Sequence, residues 1–385
     1  MPALPRILEF ADELVAIRRD LHAHPEIGFE EQRTSGIVAE KLASWGIEVF
    51  RGIGKTGVVG VLRGGDDGRR VGLRADMDAL PMDEETNLPY RSKHPGRFHG
   101  CGHDGHTTML LGAARYLAGT RNFNGTVVFI FQPAEEGLGG ARAMLADGLF
   151  QRFPCDEIYA LHNSPEGPQG RVSLHSGPMM AGADFFDVRI TGRGAHGEFP
   201  QQANDPTVIA VTLAQAMQTI VSRNTDPAHP AVVSITQIHA GSAYNVIPES
   251  ARLAGTVRTF DDGTRELIRG RIRALAAGIA ASFSATIEVD IRDIFTVLEN
   301  HEPQTRAAAE AAREIVGAER IELEPRPKMA SEDFADMLRA VPGAYFWLGQ
   351  TPGPAVHNPG YLFDDAILPI GASLLARIAE RQLGT

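Results

Sequence analysis

Only two cysteines, Cys101 and Cys155, occur in 385 residues, so no disulfide framework organises this chain. A reducing compartment and the setting of Cys101 instead favour a free thiolate. No apolar run approaches the ~20 residues needed to cross a bilayer. Nor is there an excess of positive charge: 37 Lys and Arg stand against 48 Asp and Glu, and no basic run stands out. That balance argues against nucleic acid or an anionic membrane as partner. The first 40 residues are charged and helix-patterned, unlike a signal peptide, which makes a cytoplasmic location the expectation. No internal repeat or low-complexity stretch appears. What remains is a chain too long for one ordinary core, 43% apolar and rich in turns, with 41 Gly and 24 Pro. Two domains of α/β character are the natural expectation.

The stretch His99-Gly100-Cys101-Gly102-His103-Asp104-Gly105-His106 sets a thiol and three imidazoles among glycines. It then hands over to a small-residue apolar helix. An irregular, Gly-flanked backbone can aim Cys101 and His103 at one ion, whereas a regular strand or helix would hold them at a fixed angle.

Other ligand-type residues stand where apolar runs end. Residues 58–63 and 71–74 read as short strands, and the second runs into Asp76 and Asp78. Residues 125–131 form a continuous apolar run, the pattern of a strand buried on both faces, and deliver Glu135 and Glu136. Two adjacent carboxylates at such a place are costly unless cations neutralise them or one works as a base. The run 158–161 ends at His162, and a later strand at 344–348 precedes His357. Amphipathic helices are expected at 7–23 and 33–45, with His22 and His24 read as solvated or packed turn residues rather than ligands. Between 183 and 292 the order becomes β-α-β-β-α-β, that of a ferredoxin-like unit inserted into the larger domain formed by 1–182 and 293–385.

Collected, Cys101, His103, Glu136, His162 and His357 exceed what one tetrahedral zinc takes and suggest two divalent ions, with Asp76, Asp78 and Glu135 nearby. Such a site suits hydrolysis, and Glu135 is the choice for general base. A thiolate with imidazoles suits zinc, while manganese, nickel and cobalt also fit a mixed N, O and S set.

The motifs around residues 19–31, 72–81, 99–107, 132–137, 162–163, 243–248, 331–334 and 357–359 resemble the M20 metallopeptidase group. More closely they resemble its amidohydrolase branch of hippurate hydrolases, N-acyl-amino-acid deacylases and auxin-conjugate hydrolases. The resemblance implies a mixed-sheet α/β catalytic domain and an α+β lid that also dimerises, giving a homodimer or tetramer. It makes Cys101, His103, Glu136, His162 and His357 the metal ligands and Glu135 the base. It also gives His196 of the lid an oxyanion-steadying role at a partner's site, and Asn245 and Arg258 contacts to the substrate's polar end. The substrate class implied is an N-acyl amino acid; aminopeptidase, carboxypeptidase and a non-catalytic, metal-braced binding protein are the alternatives. The chain departs from the group's usual pattern at Glu198 and Gln201, beside the lid histidine, and at Gly360, after His357-Asn358-Pro359.

Overall fold

A computed structural model describes residues 2–66 and 68–384. The chain divides into two compact units, one of Met1–Gly177, Glu299–Arg326 and Asp333–Thr385, the other of Pro178–Leu298 and Pro327–Glu332. Relative to the expected 183–292, the second unit also takes in 327–332, because Ala181 N–H donates to the carbonyls of Lys328 and Ala330.

The larger unit is built on an eight-stranded mixed sheet. Its spatial order is Glu48–Ile53, Gly57–Arg63, Thr126–Gln132, Arg70–Asp76, Glu157–Ser164, Gly343–Gly349, Val172–Leu174 and Ile321–Leu323. The four strands at its middle, from Thr126–Gln132 to Gly343–Gly349, run parallel and are almost wholly buried. Their carboxyl ends therefore lie along one edge, where α/β folds place their chemistry. Buried on both faces, such strands read in sequence as unbroken Val, Ile and Phe. The sheet is covered by helices that include Ala11–Ala23, His103–Thr120 and Leu368–Leu383, and the last two pack on one another. The first predicted helix is split into Pro5–Leu8 and Ala11–Ala23.

In the smaller unit four antiparallel strands lie in the order Ala231–Ala240, Ser250–Thr259, Gly182–Thr191, Thr286–Phe295. This is the ferredoxin-like arrangement read from the order of elements. Phe186, Val188 and Ile190, alternate residues of one strand, are buried in a core with residues of helices Pro206–Thr219 and Asp262–Phe283. Asp205 and Asp261 cap those two helices, each accepting a backbone N–H from the first turn.

Candidate metal and catalytic site

Four strand ends and one helix start converge in the larger unit. Gly102 adopts φ +99°, and a Cβ there would lie 2.4 Å from Asn163 Oδ1, so glycine is needed for the turn that opens helix His103–Thr120. Cys101 Sγ lies 3.3 Å from His162 Nε2, and Cys101, His103 and His162 can present ligand atoms within 4.8 Å of one another. A second group satisfying the same limit is Cys101, Glu136 and His357, and a third is His103, Glu135 and Glu136. All five predicted ligands are thus brought together, Cys101, His103 and Glu136 each being shared between two of these groups. His357 reaches the cluster from its loop with φ +65°; its N–H donates to the Gly100 carbonyl at 2.8 Å and its Nε2 lies 3.2 Å from Glu136 Oε1.

The imidazoles are oriented for ligation. His103 Nδ1 faces Asp78 Oδ1 at 3.2 Å and His162 Nδ1 donates to the Asn163 carbonyl at 2.7 Å, which leaves Nε2 of each ring directed into the cluster. His103 Nε2 is buried and lacks a hydrogen-bond partner among the described residues, with Glu136 Oε1 3.8 Å away. A buried nitrogen left so is costly unless a cation takes its lone pair. The donor set of one thiol, three imidazoles and one carboxylate fits divalent ions, and the orphaned nitrogen points the same way.

Electrostatics agree. Burial opposes a proton on His103, yet Asp76 and Cys101 overcome it and push the ring well above its ordinary range. His357 is pushed up to about 10 by its contacts with Cys101 and Glu136. The cluster thus attracts positive charge from more than one side. Burial and the neighbouring His106 instead hold His162 well below its usual range, as a neutral ligand requires.

Asp76 and Asp78 brace the site. Asp78 accepts the backbone N–H groups of both Glu135 and Glu136 at 3.0 Å, and so fixes the turn that presents these two carboxylates. Burial disfavours the charge on Asp76, but His103, His106 and Arg74 prevail and hold it well below the usual carboxylate range. Sequence reasoning left His106 without a role. Its Nδ1 bonds Asp76 at 2.7 Å and its Nε2 bonds Asn163 at 2.8 Å. The signal was its three-residue offset from His103 on one helix face. Of the two histidines read as turn residues, His22 is packed inside helix Ala11–Ala23 between Asp104 and Glu84, while His24 bonds the Asp20 carbonyl. Neither belongs to the candidate metal groups.

In the smaller unit the short strand Ala195–His196 pairs with Val246–Ile247, and Gly197 N–H donates to the Asn245 carbonyl at 2.8 Å. His196 and Asn245, 49 positions apart in sequence, thus share one exposed ribbon. His196 Nδ1 accepts the Glu198 N–H at 3.2 Å, so the neutral ring carries its proton on Nε2. Arg258 is half-buried, and burial alone lowers its pKa; its guanidinium donates to Ser331 Oγ at 2.6 Å, and no carboxylate is paired to it among the described residues.

Comparison with known proteins adds an independent line. The pattern of Peptidase family M20/M25/M40 matches residues 72–381. A hippurate hydrolase of Campylobacter jejuni is 45% identical, the match covering 100% of both chains. An N-acetylcysteine deacetylase of Bacillus subtilis is 38% identical over 98% of each. Among solved structures, the YXEP protein of Bacillus subtilis, described as a dinuclear metal binding peptidase from the M20 family, superposes with a TM-score of 0.85 at 35% identity, covering 98% of this chain and 99% of that one.

Proposed function

The chain belongs to peptidase family M20/M25/M40, and from that premise we propose that it hydrolyses the amide bond of N-acyl amino acids, releasing a carboxylic acid and a free amino acid. The observation that supports this reading best is the pair of adjacent carboxylates held by Asp78: one of them, Glu136, lies among the thiol and imidazoles, and Glu135 stands beside it with an oxygen 4.0 Å from His103 Nε2. A metal site that only braced the fold would close its coordination and have no use for that second buried carboxylate.

Cys101, His103, Glu136, His162 and His357 would hold two divalent cations, drawn from zinc, manganese, nickel and cobalt. Such ions, when bound, polarise a carbonyl and bring the pKa of a water down from about 15.7 toward neutrality. Glu135 takes the proton of the attacking water and delivers it to the leaving nitrogen, so that an amine rather than an amide anion departs. His196, with its proton on Nε2, reaches the site of a partner copy and there donates to the oxygen on which charge develops. Arg258 and Asn245 receive the amino acid's carboxylate, a role suited to a half-buried guanidinium without an acidic partner.

Assembly as a homodimer through the smaller unit is part of this reading. The edge strand Ala231–Ala240 is exposed from Thr236 to Ala240, an unpaired edge of the kind that a second copy covers. No helix among the described residues is long and apolar enough to cross a membrane.

The test is a panel of N-acetyl, N-benzoyl and indole-acetyl amino acids, with unblocked dipeptides alongside. Each is assayed after chelation and add-back of each metal. Hydrolysis of the acylated set is expected; turnover confined to the dipeptides would replace this reading with a peptidase.

A further inference from the structure

The Pro25-Glu26-Ile27-Gly28-Phe29-Glu30-Glu31 segment contributes no ligand, yet it touches the machinery in three places. Ala79, next to Asp78, donates its N–H to the Glu26 carbonyl at 2.8 Å, and Ile27 forms a parallel bridge with Ala79. Gly28 lies so close to Ala134 that a Cβ there would sit 2.8 Å from its Cα and 2.9 Å from its Cβ. Glu31 is fully buried; one of its carboxylate oxygens accepts the Ala134 N–H at 2.9 Å and the other accepts the Thr56 hydroxyl at 2.5 Å.

Ala134 is where this matters. It adopts φ +54°, a left-handed conformation that a residue with a Cβ enters at a cost, and it immediately precedes Glu135 and Glu136. The strained peptide therefore sets the direction in which both carboxylates leave the strand. A buried carboxylate that accepts its N–H and a glycine backbone pressed against its other side over-determine that conformation.

We infer that Glu31 is a positioning residue, which holds Ala134 in the left-handed conformation and thereby aims Glu135 at the water whose proton it takes. The inference rests on the reading of Glu135 as the proton carrier. It explains why the 25–31 segment keeps a glycine and an acid at the same turn: the first makes room for Ala134 and the second grips it.

Four variants test it, read by kcat, KM and bound metal per chain. Glu31→Ala should lower kcat by about 10- to 100-fold, since a small misplacement of a catalytic group costs that much, with KM and metal content within about twofold of wild type. Glu31→Gln keeps the volume and one acceptor for the Ala134 N–H, and should lose several-fold less. Glycine enters the left-handed region without penalty, so Glu31→Ala combined with Ala134→Gly should regain most of the lost kcat. A residue that merely stabilised the fold would show no such rescue. Wild-type kcat in Glu31→Ala, or no recovery in the double variant, overturns the positioning role. Glu135→Ala separates the two ideas: if it is inactive while Glu31→Ala is fully active, only the positioning role falls, and if Glu135→Ala is itself active, both fall.

Discussion

The two groups of candidate residues differ in how they are held. Around Cys101 every side chain is buried or nearly so except His357, and carboxylates hold the group in place: Asp78 accepts the backbone N–H groups of Glu135 and Glu136, Glu31 accepts that of Ala134, and Asp76 bonds the His106 ring. On the ribbon of the smaller unit, His196 is exposed and Tyr244, beside Asn245, is wholly so; a two-residue ladder and the Gly197 N–H to Asn245 carbonyl bond hold the ribbon together. The first arrangement is preorganised, with its cost met by the surrounding core. The second is open, as suits groups that engage a substrate only when it arrives. On the proposed assignment, the proton carrier and its metals need fixed geometry, whereas an oxyanion donor and a carboxylate clamp tolerate assembly on binding.

The contrast breaks most visibly if the buried group proves dispensable. Glu135→Ala should lower kcat by roughly a thousandfold or more while leaving bound metal unchanged, because proton transfer alone is typically worth 10²–10⁴. Elemental analysis beside steady-state kinetics checks it, and near-normal turnover would end the mechanism. Cys101→Ala should lose metal affinity and Tm together, since metal binding and folding share one free energy. A variant with full metal occupancy would strike Cys101 from the ligand set. His196→Ala should reduce kcat by about a hundredfold, the usual cost of one oxyanion donor, with metal content and Tm untouched. If metal were lost there as well, the exposed ribbon would not be the independent element described above.

Much of the buried group was legible in sequence for one physical reason. A strand buried on both faces must be apolar throughout, so the first polar residues after it mark the carboxyl edge of the sheet. The runs leading to Asp76, Glu135 and His162 show this, and the structure ends their strands at Asp76, Gln132 and Ser164. The ferredoxin-like order was equally readable, since strands such as Gly182–Thr191 and Thr286–Phe295 bury one face and alternate over much of their length. The strand Glu48–Ile53 was missed because it lies at the edge of its sheet and most of it is exposed or half-buried, leaving no apolar run. The helices Gly140–Ala146 and Leu149–Arg152 escaped because they are one or two turns long, too short to display a period. The bracing partners were the least accessible of all. That Glu31 would bond a backbone N–H 103 positions away, or His22 a carboxylate 82 positions away, depends on tertiary approach, which no local pattern encodes.

Glu31 also supplies the smallest expected effect, and it opposes the activity changes in sign. Burial pushes its carboxyl up to about 7 from an ordinary 4.5; the Thr56 hydrogen bond works against this and the charge of Asp78 adds to it. A carboxyl whose folded pKa is raised binds its proton more tightly in the folded chain. Its contribution to stability is therefore complete below about pH 4.5 and is lost as pH rises through about 7. Glutamine does not titrate and escapes that loss. Glu31→Gln should thus gain stability over wild type as pH rises from 5 to 8, by something of order 2 kcal/mol. Thermal melts of both proteins at the two pH values measure it, and a Tm difference that stays flat or shrinks toward pH 8 would mean that the carboxyl is not strained by its surroundings. The positioning role requires the same variant to turn over more slowly than wild type. An acid that costs stability at neutral pH and still grips the turn before Glu135 is one whose burial serves the site rather than the core.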